Sequence, residues 1–149
     1  MSFRKFLSYL TFLVPWFLAV VVFPIDTNYY SNLTLPWFAP KPIVFGIVWP
    51  ILYLLIAYSI FKVFSKCTSN YKIYLVINYL SNQLFTWCFF GLQNLFLAFV
   101  DTLIVFISSL YLYVETKILN QNYTWYFIPY IVWNFFALIL ILTIFFLNL

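Results

Sequence analysis

The sequence predicts an all-α membrane protein, a bundle of five transmembrane helices with its N-terminus in the cytoplasm. Composition is the first ground. Of 149 residues, 66% are hydrophobic and only 7% charged, against about a quarter charged in soluble domains, so the chain cannot cover a water-facing surface. Segmentation is the second. Five apolar stretches, residues 6–24, 43–64, 73–90, 95–114 and 126–147, each come close to the roughly 20 residues that a helical span requires. Charge is the third. With five spans, Arg4, Lys5, Lys62, Lys66, Lys72 and Lys117 gather on one side and only Lys41 falls on the other, and basic loops stay cytoplasmic. Dropping or splitting a middle span would scatter these residues over both faces.

The first segment opens on Arg4-Lys5, as a signal peptide would, but its apolar stretch is long and no A-x-A-like site follows, so it reads as a retained span. Residues 25–42 form the one long connection. Pro36, Pro40 and Pro42 stiffen it by fixing φ and reducing unfolded freedom. It reads as a lid over the outer mouth of the bundle, the alternative being a compact connector. In the second segment Trp49 and Tyr53, four residues apart, share a stripe. If the helix begins near Ile43, Pro50 interrupts it; if it begins at Trp49, Pro50 takes the tolerated first position.

In the third segment Asn78 and Asn82 occupy one face. Polar groups in a bilayer need satisfaction, and these amides fit either bonds between helices or a ligand's polar edge. A polar turn, Gly91-Leu92-Gln93-Asn94, leads into the fourth segment, where Asp101 lies about two turns in. A brace on a neighbouring helix end is the favoured role for it. Glu115 sits beside Lys117 at the cytoplasmic edge. The fifth segment opens on the collar Trp125-Tyr126 and carries Pro129, Trp133 and Ala137 as one stripe.

Several functions are excluded. The net charge of +4 is spread over loops, which is no nucleic-acid footprint. There is no His, and Cys67 and Cys88 fall at different depths, so neither a disulfide nor zinc or haem ligation is expected. No charge chain for proton coupling and no Ser–His or Cys–His pair is present. Phe, Tyr, Ile and Asn have A/T-rich codons and Trp does not, so the six Trp residues inform more than the other aromatics. Trp16, Trp37 and Trp125 fit an interfacial belt or bundle core. Trp49 and Trp133 lie deeper, and an aromatic lining with a few amide donors suits a flat, largely apolar ligand. The expectation is that their indoles face each other across a sheltered hollow.

In order, the chain reads FPID-TNYY (23–30), LPWFAPKP (35–42), FGIVWPILY (45–53), NYLSNQ (78–83), AFVD (98–101) and IPYIVWNFFA (128–137). This series, over nearly the whole chain, resembles the TspO/MBR family of tryptophan-rich sensory proteins, related to the mitochondrial translocator protein or peripheral benzodiazepine receptor. The resemblance implies a five-helix bundle, usually a homodimer in the lipid bilayer, with a pocket closed by the first loop. It implies porphyrin ligands such as protoporphyrin IX or haem, with no further cofactor, and light- and oxygen-dependent porphyrin degradation in some bacterial members. Pocket residues carry over to Tyr30, Pro40, Trp49, Tyr53, Asn82, Trp133 and Ala137, with Trp49 and Trp133 as the pair implicated in photochemistry. The chain departs from the family at Leu35, Phe38 and Ile141, and no basic residue follows Tyr130 as a cholesterol-recognition pattern requires. The FPID stretch resembles members from low-GC Gram-positive bacteria, which implies the bacterial plasma membrane. Two rival functions share the pocket or lack it: a transporter or stress regulator of amphipathic metabolites, and a structural subunit without ligand.

Overall fold

The structure is a computed structural model that describes residues 3–18 and 25–149, and the regular elements among these residues are helical. The latter part of the first predicted span, with Phe23 and Pro24 of the FPID stretch, lies outside the described residues. Helix α1 (Phe3–Leu13) passes into a 3-10 turn, Val14–Phe17. A short α2 (Thr27–Asn32) stands inside the lid-like connection. Its N-cap Asp26 accepts from the backbone N–H groups of Asn28 and Tyr29 at 3.0 and 3.1 Å, which satisfies two of the free donors at a helix start.

Helix α3 (Pro42–Val63) begins at a proline, where a missing N–H costs nothing. That start settles the ambiguity at Pro50, which lies inside the helix and forfeits one backbone bond to the carbonyl of Gly46. Helix α4 (Ser69–Thr86) is capped by Thr68 and continues as a π-helical turn, Trp87–Gly91. Gln93 then takes a positive φ of 49°, and Asn94 caps α5 (Leu95–Leu119) by accepting from the N–H of Leu97 at 2.9 Å. The expected polar turn is therefore a widened helix end, a left-handed residue and a cap in succession. After the brief α6 (Gln121–Thr124) and a 3-10 turn at Trp125–Phe127, α7 (Ile128–Leu147) closes the chain.

Pro42–Lys66, Leu95–Leu119 and Gln121–Leu147 are long and apolar enough to cross a membrane. Helix α4 is less apolar because Asn78, Ser81, Asn82 and Thr86 line its buried side. Helix α5 is the spine: it packs along α4 on one side and α7 on the other, while α1 lies against α3. The inward face of α5 carries Ala98, Asp101, Thr102, Val105, Ser108 and Ser109, and such small residues let helices approach closely.

A hydrogen-bonded junction joins these three helices. The Asn78 amide donates to the Val105 carbonyl at 3.0 Å and to the Ser108 hydroxyl at 2.9 Å. The Tyr130 hydroxyl of α7 donates to Asn78 Oδ1 at 2.9 Å and accepts from Asn82 Nδ2 at 2.8 Å. Asn82 Nδ2 also donates to the Asn78 carbonyl at 2.7 Å. Removing the hydroxyl in Tyr130→Phe strands Asn78 Oδ1 and leaves Asn82 Nδ2 one acceptor of two, which should cost about 1–3 kcal/mol. Unfolding in detergent measures this, with Tyr113→Phe as a control expected to shift stability by less than about 0.5 kcal/mol.

Candidate functional site

Trp49 projects from α3 and Trp133 from α7, and their rings meet edge to face with centroids 6.5 Å apart and planes at 88°. Perpendicular contact suits the opposite charges of an aromatic ring's edge and face. Tyr53, one turn along α3, lies 5.5 Å from Trp49 and stacks at 5.2 Å on Trp16. Trp16 is 2% exposed and therefore core rather than belt. Tyr130 sits 6.3 Å from Trp49 and 6.4 Å from Trp16, so the junction that ties α4, α5 and α7 also backs the aromatic centre. Ala137, half-buried, continues the Trp133 stripe one turn further along α7.

The predicted hollow between the indoles is corrected: the two rings are in contact. Surface hollows lie elsewhere. One of about 300 Å³ is lined by Leu92, Gln93, Asn94, Phe145 and Asn148 among others. Another of about 380 Å³ is formed by Leu7, Leu10, Thr11, Val14 and Pro15 of α1 and the turn after it. The physical reason is size, because indole and phenol side chains are large enough to span the gap between α3 and α7 themselves.

The lid residues reach this centre through rings. Tyr30 is buried, and its hydroxyl donates to the Pro40 carbonyl at 3.0 Å, closing the connection on itself. Tyr30 contacts Phe45 at 6.1 Å, and Phe45 contacts Trp133 at 5.9 Å. A second path runs from Phe38 to Phe136 at 6.3 Å and on to Trp133 at 5.3 Å. Trp37 is 96% exposed and touches this second path only at its outer end, edge to face with Phe38 at 5.7 Å. Two polar ties hold the lid's far side. The Tyr29 hydroxyl donates to the Gln93 carbonyl at 3.3 Å. Asn148 takes Thr34 in both directions, accepting from its N–H at 2.9 Å and donating to its carbonyl at 3.0 Å.

Buried donors and acceptors are unevenly spent. Asn82, the predicted ligand amide, gives its Nδ2 to Asn78 and Tyr130. The buried amide atoms of Gln83, the Trp133 Nε1–H and the Tyr79 hydroxyl have no partner among protein atoms. Tyr79 lies 5.0 Å from Trp16, and Gln83 follows it by one turn on the same face. Gln83, Tyr130, Phe38, Phe45 and Phe136 were not singled out as site residues from the sequence. Tyr130 and Phe136, three residues to either side of Trp133, and Phe45, four before Trp49, carried a signal in their spacing. Asp101 does not serve as the expected brace on a helix end: it is buried on the inward face of α5, with Oδ2 unpartnered. Cys67 and Cys88 are both free thiols; Cys67 donates to the Phe64 carbonyl at 3.0 Å, and burial raises its pKa against the lowering pull of Lys72.

Outside the spans, burial also raises the pKa of the Tyr30 hydroxyl above its ordinary value. A raised folded value means the proton and its bond to Pro40 persist at neutral pH, and their contribution is lost only as pH climbs past about 10. Asn148→Ala removes both bonds to Thr34, so backbone hydrogen exchange over residues 27–39 should speed up severalfold at pH 7, with exchange in α5 unchanged.

The TspO/MBR family's sequence profile matches residues 10–147. The "Tryptophan-rich protein TspO" of Bacillus cereus is 35% identical over 136 residues, covering 89% of this chain and 89% of that one. The "Uncharacterized membrane protein YtaB" of Bacillus subtilis is 34% identical over 127 residues, covering 83% of this chain and 82% of the relative.

Proposed function

The chain belongs to the TspO/MBR family, and from that premise we propose that it is a porphyrin receptor of the bacterial plasma membrane. On this reading it has five spans, a cytoplasmic N-terminus and a homodimeric assembly, and it takes a flat tetrapyrrole such as protoporphyrin IX or haem into the aromatic centre beneath the lid. The observation that carries the proposal is the perpendicular contact of Trp49 with Trp133, reached from the lid through Phe45 and Phe136. A macrocycle would part the two indoles and stack on one of them, replacing ring–ring contact with ring–ligand contact. Tyr53 would extend the stacking surface, Ala137 would leave room for the macrocycle's rim, and Tyr30 with Pro40 would close over it.

The polar edge of the ligand would meet groups the protein leaves unspent. Trp133 Nε1–H and the Gln83 amide are buried without partners. Asn82 supports the site by holding Tyr130 in place. A buried polar group lacking a partner destabilises a protein, and replacing it by an apolar one of similar shape is neutral or favourable. Gln83→Leu is therefore expected to leave stability unchanged or higher while weakening porphyrin affinity about tenfold, or about 1.4 kcal/mol.

Titration of protoporphyrin IX against purified protein, followed by Trp fluorescence, tests the site. The Trp49→Phe, Trp133→Phe double variant should bind at least tenfold more weakly, and undiminished affinity would move the site elsewhere. The same indoles are the candidates for photochemistry, since a photoexcited porphyrin can take one electron from an indole while dioxygen serves as the eventual oxidant. Illumination of the complex separates a degrading protein from a binder or carrier. Decay of the Soret band faster than in a detergent blank, and slowed in the double variant, supports degradation; decay at the blank rate leaves binding or transport.

A further inference from the structure

One helical turn outward from the junction, toward the lid, lies a second polar layer. Asn82 is four residues beyond Asn78 on α4, Asp101 four before Val105 on α5, and Asn134 four beyond Tyr130 on α7. The junction bonds place Asn78, Val105 and Tyr130 at one level. Because α5 runs opposite to α4 and α7, these three steps lead the same way, each by about 6 Å. All three side chains point inward, at 8%, 6% and 1% exposure. Ser81, buried on the same side of α4, stands beside the Asp101 carboxylate.

This layer is not self-satisfied as the first one is. Asp101 Oδ2 and both polar atoms of Asn134 find no partner among protein atoms. Asp101 is one of three acidic residues in the chain. The basic residues, Arg4, Lys5, Lys41, Lys62, Lys66, Lys72 and Lys117, all sit toward the ends of the helices or between them, so none shares its level. A lone buried carboxylate is costly without a positive partner, and an ionisable group at this depth marks a site.

We propose that Asp101 and Asn134, with Ser81, form a binding site for a small monovalent cation, sodium. Carboxylate, amide carbonyl and hydroxyl oxygens suit a hard cation. One carboxylate neutralises one charge, whereas a divalent ion would leave an uncompensated charge in a medium of low dielectric. Consistent with this, no cluster of three His, Cys, Asp or Glu side chains exists among the described residues. The site lies on the α5 side of α7, one residue around the helix from Trp133, and its test needs no porphyrin.

The test uses the full chain in detergent without porphyrin, with NaCl exchanged for choline chloride at constant ionic strength. The thermal midpoint should rise saturably with sodium, by roughly 4 °C at a tenfold excess over half-saturation. Asp101→Asn should flatten the response, and Asn134→Ala, which keeps the carboxylate, should shift half-saturation about tenfold higher. Should Asp101→Asn fail to fold, excess 23Na relaxation from the unaltered protein, reversed by lithium, reads the same binding. Equal midpoints in sodium and choline with no excess 23Na relaxation, or a sodium response retained in Asp101→Asn, would overturn the site and leave Asp101 a neutral, proton-bearing acid.

Discussion

An apolar surround offers a buried amide no water, so such a group must be paired inside the protein. The junction of Asn78, Asn82 and Tyr130 is where this constraint is met, and the rest of the arrangement depends on it. Through Val105 and Ser108 it sets how α4 lies along α5. Through Tyr130 it sets the rotation of α7, and so where Trp133 and Asn134 point. Hydrogen bonds between membrane helices are individually modest, about 0.6–2 kcal/mol. Their larger contribution here is directional, because lipid and side chain are almost equally apolar and hydrophobicity alone does not choose a rotation.

Given that rotation, α7 separates two environments. Trp133 faces α3 and a centre built from indole and phenol rings. The next residue, Asn134, is turned by about 100° and joins the buried polar layer against α5. The connection before α3 is tied to the first environment by apolar rings and to the rim of the bundle by hydrogen bonds between side chains and backbone. Ring contacts lose little when they slide, whereas the bonds at Gln93 and Thr34 are lost outright when they break. The rim bonds therefore fix the position of the connection more sharply than its ring contacts do.

Much of this was legible in the chain. The apolar segments and the ordered motifs pointed to the helical membrane architecture and to the family, and the pairing of Trp49 with Trp133 followed from motif positions. Asn78 as a bond between helices followed from the cost of a polar group in a bilayer. What the sequence could not disclose was how the amides are spent. Asn82 and Gln83 are neighbours of similar chemistry, and only the rotation of α4 decides that one is committed to Tyr130 and the other left free. Pro50 was equally undecidable, since both placements obey the rules for proline and the start at Pro42 alone resolves them. The hollow was over-read because sequence reveals which rings face inward but not whether they fill the space between them.

The short turn at Gly91–Asn94 has a consequence for biogenesis on the five-span reading. A lone α4 would present the Asn78 amide to hydrocarbon, and its partners on α5, Val105 and Ser108, follow within about thirty residues of chain. The two segments would then leave the insertion machinery together, as a preassembled hairpin whose polar seam is already zipped before either flank meets lipid.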